Sequence, residues 1–198
     1  MFKSVSELST PEIYRYLVGG IVPRPIAWIS TLSADGVQNL APYSFFTVAS
    51  VNPPVLAITH IPSRAQAEKD TLKNLHAHPE CVINIVSANQ VEQANASSES
   101  LASTLSEFKQ FDILSTPSQQ VKPVSVAGSK VRYECQLREV INVSAGGQLI
   151  LLDLIGVFID DDLIKDDLID AFKLDAIGKM GGADYNLTRD LIQAKRPD

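Results

Sequence analysis

The chain has 198 residues, 45% of them hydrophobic, with a net charge of -6 and a pI near 5.0. That length and apolar content fit a single domain, residues 1–198, with a real core, and no internal repeat is present. The acidic balance argues against a nucleic-acid backbone as partner, which needs clustered Lys and Arg, but a local pocket can still oppose the global charge and take a small anion.

The N-terminus, "MFKSVSELSTPE", has no apolar h-region, so no secretory signal is expected. The apolar runs are too short for a membrane span, so no membrane partner is expected either. Thr10-Pro11 reads as an N-cap followed by proline at the first helical position, and Gly19-Gly20 as the stop. "VPRPIAWISTL" must begin extended, because a residue before proline is pushed out of the helical region. With the turn signal "SADG" it predicts a hairpin, Ile26 to Leu32 and then Val37 to about Ala41. Further strands are expected at Val48–Ser50, Val55–Thr59, Cys81–Val86, Lys130–Val140 and Leu149–Ile159. Helices are expected at Asp70–His76 and in parts of Val91–Phe108. "STPSQQVKP" reads as a loop, and "GKMGGADYN" as Gly-rich and irregular. Many strands with few helices between them predict a mainly β fold, an antiparallel barrel or sandwich, with Val91–Phe108 as a helical insertion covering it.

Most catalytic signatures are missing. No G-x-G-x-x-G, Walker A loop, H-E-x-x-H or G-x-S-x-G occurs. His76 and His78, two apart before Pro79, do not match a zinc ligand set, so no metal is expected. The acidic run from Asp160 to Asp167 reads as a solvated turn. Cys81 and Cys135 lie in apolar or alternating strands and read as buried thiols of a cytoplasmic protein.

Two stretches stand out. In "NLAPYS", Asn39 to Ser44, Pro42 cannot donate to a ladder, so pairing is expected to be interrupted there, as at a sheet edge or bulge. Backbone groups so released face either a ligand or water. In Ser63–Leu75, Asp70 can cap a helix starting at Thr71. With Lys69 beside it, that terminus suits a phosphate monoester or is simply a capped surface helix.

"GGIVPRPIAWISTLSADGVQNLAPYSFFTVASVNPPVLAI" resembles the opening of the flavin reductase-like, FMN-binding split β-barrel family. That family includes flavoredoxin-type proteins and the reductase components of two-component flavin monooxygenases. "KDTLKNL", "VEQANASSES", "SEFKQFDI", "VKPVSVAGSKVRYECQLREV" and "GKMGGADYN" follow in order, so the resemblance covers nearly the whole chain. It implies a Greek-key split barrel that dimerises, with FMN near the subunit interface. Carried over by position, it places Ser30 and Thr31 along the flavin. Asn39, Ala41, Pro42, Tyr43 and Ser44 would surround the ring and ribityl tail, and Lys69, Asp70 and Thr71 would reach the phosphate. Gly182 and Tyr185 match a C-terminal element near the site. Related sequences often carry arginine at the position of Lys179, and lysine cannot reproduce a bidentate contact. Trp28 is expected in the core rather than stacked on the flavin.

The resemblance implies an oxidoreductase taking a hydride from NAD(P)H, with a flavin, a partner protein or a small molecule as acceptor and no obligatory acid–base residue. A non-enzymatic FMN carrier or redox sensor is the alternative. A cofactor-free binding barrel would leave Lys69–Thr71 and Asn39–Ser44 unexplained.

Overall fold

The computed structural model describes residues 1–62, 69–143 and 146–195. The strands in chain order are β1 (Arg24–Pro25), β2 (Ala27–Leu32), β3 (Gln38–Tyr43), β4 (Phe46–Val51), β5 (Pro54–His60), β6 (Glu80–Ile85), β7 (Ser115–Thr116), β8 (Ser125–Val126), β9 (Val131–Asn142), β10 (Gln148–Ile159), β11 (Ile164–Lys165), β12 (Leu168–Ile169), β13 (Ile177–Lys179) and β14 (Tyr185–Leu187). The helices are α1 (Thr10–Gly20), α2 (Asp70–Ala77), α3 (Val91–Ala96), α4 (Glu107–Gln110) and α5 (Ala171–Leu174). Every strand expected from the alternating apolar pattern is present, and the fold is mainly β.

Seven strands form one antiparallel sheet in the order β3-β2-β6-β9-β10-β5-β4. The sheet curls until its two ends meet. Tyr43 of β3 comes up to His60 of β5, the two rings lying 6.4 Å apart between centroids. Strand alternation sorts the residues. Ala27, Ile29, Ala41, Tyr43, Leu56, Ile58, Cys81, Ile83, Cys135, Ile150 and Leu152 fill the barrel, and Leu72 and Leu75 of α2 pack against them. Trp28 and Leu40 point outward, into a second core with Ile26, Val86, Ala94, Phe108, Ile113, Val126 and Ile177. That second core fastens the helical segment to the barrel wall, as the insertion reading expects. Trp28 is fully buried there and donates from Nε1 to Ser97 Oγ at 2.8 Å. Cys81 and Cys135 face each other across β6 and β9 as buried free thiols.

Three local expectations need correction. The cap of α1 is Ser9, not Thr10, because the Glu12 carboxylate accepts from both Ser9 N (3.0 Å) and Ser9 Oγ (2.6 Å) and so closes the first turn one residue earlier. The helix also runs through Gly19-Gly20 and stops at Ile21, just before the extended residue that Pro23 demands. Lys69, not Asp70, caps α2: its carbonyl accepts from Leu72 N and Lys73 N, which leaves Asp70 in the first helical turn.

Pro42 does not interrupt pairing. β3 continues past it, with Trp28 opposite Pro42 and Ala27 opposite Tyr43. The Leu40 N–H points away from β2, to Glu107, and Pro42, two residues on, presents its nitrogen to the same outer side. The missing donor therefore costs no ladder bond, which is why proline is tolerated on this edge strand.

The C-terminal sheet β1-β13-β14 brings "GKMGGADYN" back beside α1. A Cβ on Gly178 would sit 2.6 Å from Pro23 Cβ. Gly178→Ala is expected to destabilise the fold by about 1–3 kcal/mol through overpacking, read as a lower urea midpoint. An unchanged midpoint would show that this hairpin is not docked as described.

Candidate functional site

The end of β3 is where three clefts meet. The first is lined by Asn39, Ala41, Lys69, Asp70 and Thr71, with Ser97–Leu101 and Glu107 opposite. The second, of about 600 Å³, lies between Pro42–Phe45, Thr59–Pro62, Lys69 and the start of α1. The third, about 170 Å³, is bounded by Ile26, Pro42–Ser44, Asn95, Ser98, Lys179 and Tyr185. Lys69 joins the first to the second, Ser98 the first to the third, and Pro42–Ser44 the second to the third.

Behind the first cleft lies a buried polar network. Asn39 Nδ2 donates to both Glu107 carboxylate oxygens at 3.0 Å, and Leu40 N donates to Glu107 Oε2 at 2.8 Å. Asn39 Oδ1 accepts from Thr31 Oγ1 (3.2 Å) and Thr71 Oγ1 (3.3 Å), and Asn74 Nδ2 donates to Thr31 Oγ1 at 3.0 Å. Burial raises the Glu107 carboxyl above its ordinary value, against the hydrogen bonds from Leu40 and Asn39 that lower it; the neighbouring Asp70 charge raises it further. The hydroxyls of Thr71, Ser97, Ser98 and Ser100 line this cleft, those of Thr71, Ser97 and Ser98 donating to Asn39 Oδ1, Ala94 O and Asn95 O, and Asp70, Glu99 and Glu107 make the same cleft unfavourable to an anion.

The second cleft has the opposite character. Among its described residues are Arg15 and Lys69 and no aspartate or glutamate, with Tyr14, Tyr43, Phe45, Pro42, Ile61 and Pro62 as apolar walls. Lys69 Nζ lies 5.0 Å from the centroid of the Tyr43 ring and forms no ion pair among the described residues. Burial lowers its pKa, so an anion arriving there replaces hydration that the ammonium has already lost. Burial pushes the Tyr43 phenol up to about 12, and its ring forms part of the cleft wall.

In the third cleft Lys179 Nζ donates to Gly182 O (2.7 Å) and Asp184 O (3.1 Å) and lies 4.2 Å from the Tyr185 ring centroid. Tyr185 Oη and Asn95 Oδ1 are 3.0 Å apart. Gly182 takes φ +63°, the left-handed region that favours glycine.

The residues singled out in the sequence thus have different positions. Ala41, Pro42, Tyr43, Ser44, Lys69, Asp70, Thr71 and Asn39 line the clefts directly, as does Tyr185, whereas Gly182 shapes the loop beside them. Thr31 stands behind Asn39 in the network, and Ser30 is fully buried on the outer face, with its hydroxyl donating to Val124 O. Of the Ser63–Leu75 stretch, positions 63–68 lie outside the described residues. Sequence reasoning missed Glu107, Arg24, Asn95 and Ser97–Ser100. The only signal for the last was the hydroxyl run in "NASSES".

Comparison with known proteins places the chain in a family. Residues 19–173 match the model of the flavin reductase like domain. A protein of uncharacterised function from Halalkalibacterium halodurans is 34% identical over 96% of this chain and 93% of its own. Nitrilotriacetate monooxygenase component B from Bacillus cereus superposes with a TM-score of 0.92 at 24% identity, over 98% of both chains. Pseudomonas fluorescens 2-nitrobenzoate 2-nitroreductase does so with a TM-score of 0.90 at 25% identity, over 100% of this chain and 96% of that one. The flavoredoxin of Desulfovibrio vulgaris shares the fold at a TM-score of 0.79 and 18% identity, over 98% and 97%. The barrel is therefore the split barrel expected from the motifs, and the chain belongs to the flavin reductase like family.

Proposed function

We propose that this protein holds FMN along Pro42–Ser44 and works, as a cytoplasmic homodimer, as an oxidoreductase passing electrons from NAD(P)H to a flavin, protein or small-molecule acceptor. The observation that carries this reading is the meeting of three clefts on one edge strand. One side offers aromatic and apolar surface with cations and no described carboxylate, and the other a polar wall of hydroxyls, carboxylates and Asn39. A flavin mononucleotide needs such a mixture: a flat apolar cradle, polar groups at the ring edge, and a cation for the phosphate.

Lys69 would hold the phosphate from the carboxylate-free side, and Pro42, Tyr43 and Ser44 would seat the ring. Asn39 and Thr71, fixed through Glu107, would set the polar wall. Bound FMN supplies the hydride acceptance and electron release; the protein binds, orients and sets the local charge. The absence of a Rossmann fingerprint is no obstacle to a nicotinamide donor meeting the flavin in the open cleft. An oxidoreductase is also the reading suggested by the monooxygenase component and nitroreductase among its structural neighbours.

The test is anaerobic titration of the FMN-loaded protein with NADH and with NADPH, followed by flavin absorbance. Bleaching by one or both is the expected result. FMN binding without bleaching by either would replace the reductase with an FMN carrier or redox sensor, and a preparation that neither carries FMN nor quenches its fluorescence would remove both readings.

A further inference from the structure

The described residues lining the second and third clefts include Arg15, Lys69 and Lys179 and no aspartate or glutamate. In a chain of net charge -6 this local excess of cations runs against the whole. Beneath the shared strip lies one more cation, Arg24, only 6% exposed. Its Nη1 donates to the Val18 and Ile21 carbonyls, its Nη2 to Met180 O at 3.0 Å, and its Nε to Ser44 Oγ at 3.3 Å. Its guanidinium also lies 5.9 Å from the Phe45 ring centroid.

Every one of those acceptors is neutral, and no carboxylate among the described residues pairs with Arg24. An ion removed from water is costly unless something compensates it. Among the described residues no carboxylate offsets this charge, which sits in contact with Ser44, a residue that lines both clefts. Lys179, the cross-strand partner of Arg24, adds a second charge in the third cleft's lining, held by the Gly182 and Asp184 carbonyls. Arg24 acts on it as a like charge and the Asp184 carboxylate as an opposite one, and Asp184 lies outside the cleft lining.

We propose that Arg24, seconded by Lys179, is a charge-supplying and positioning residue that makes this site hold reduced flavin more tightly than oxidised flavin. Two electrons and one proton added to the ring leave one extra negative charge on it, and a fixed cation beside Ser44 favours that form selectively. The proposal rests on the FMN reading above. A tenfold preference for the reduced form corresponds to a midpoint potential raised by about 30 mV for a two-electron couple.

The experiment measures the midpoint potential of FMN bound to the native protein and to the Arg24→Lys, Arg24→Gln and Lys179→Met variants, with dithionite as reductant and free FMN as reference. The native protein is expected to lie above free FMN. Arg24→Lys should keep that preference to within about threefold, while Arg24→Gln should lose about tenfold, or ~30 mV. Lys179→Met should lose a smaller part. Equal shifts in Arg24→Lys and Arg24→Gln would make the role one of geometry and overturn the proposal. Should Arg24→Gln fail to fold, Lys179→Met at the half-buried strand end decides, and an unchanged preference there overturns it. Bound FMN with the potential of free FMN sinks this proposal alone. No quenching of FMN fluorescence sinks both it and the FMN reading.

Discussion

Glu107→Ala is expected to destabilise the flavin-free protein by about 2–4 kcal/mol, because it strands two buried donors at once. Leu40 N and Asn39 Nδ2 both end on this carboxylate, and both residues are buried. Glu107→Gln is expected to cost only about 1 kcal/mol. The glutamine oxygen can still accept from Leu40 N, while its amide group faces Asn39 Nδ2 donor to donor. Asn39 then turns over, and the Thr31 and Thr71 hydroxyls, which donate to Asn39 Oδ1 in the native network, become acceptors. The order Ala worse than Gln worse than native, read from urea denaturation, checks the network; equal losses for the two variants would show that Asn39 is not held in the described orientation.

The same carboxylate gives a pH dependence. Its pKa in the folded protein is raised, first by burial, above the ordinary value of 4.5. In the window between that value and the raised one, the folded state binds more protons than the unfolded state. Stability therefore falls as pH rises through the window. Glu107→Gln should flatten this fall, leaving the curve above the window parallel to that of the native protein.

How much of this was legible in advance depends on the range of the interactions. The hairpin around "SADG" and the strands of the barrel follow from period-two alternation and turn residues, and both were readable locally. Pro42 was read correctly as a mark of the sheet edge, but its effect on the ladder depended on which way its nitrogen faces. That parity is set by Leu40 bonding to Glu107, 67 positions away in the chain. Arg24 was invisible as a charged element of the site because its partners, Val18, Ser44 and Met180, meet only through the docking of α1 and the C-terminal sheet. Asp70 shows the limit on a smaller scale. An acidic residue at a helix start is a good cap by propensity, yet the extended conformation of Lys69 started the helix one residue earlier and left the Asp70 carboxylate in the first cleft, where it opposes an anion.

That shift bears on the second large effect. Lys69→Ala is expected to weaken FMN binding roughly 10- to 100-fold, since a charge-assisted bond to a phosphate contributes about 1.5–3 kcal/mol. Riboflavin, which has the same ring and tail without the phosphate, should lose less than about threefold. Thr71→Ala should have the smaller effect of the two, because the Thr71 hydroxyl is already committed to Asn39 and shares its cleft with three carboxylates, Asp70, Glu99 and Glu107. Lys69 instead reaches the second cleft, where the described residues include no acid. Burial lowers its pKa from 10.5, so in the flavin-free protein its charge is lost at lower pH than for a lysine in water. A phosphate beside it favours the charged form again and opposes that loss. FMN binding should accordingly take up protons on the alkaline side and weaken as pH rises toward 10.5, while riboflavin binding stays level there. Isothermal titrations of both ligands across that range read the difference directly. Equal losses for FMN and riboflavin in Lys69→Ala would mean that the phosphate is held elsewhere, leaving the ring alone on the Pro42–Ser44 strip.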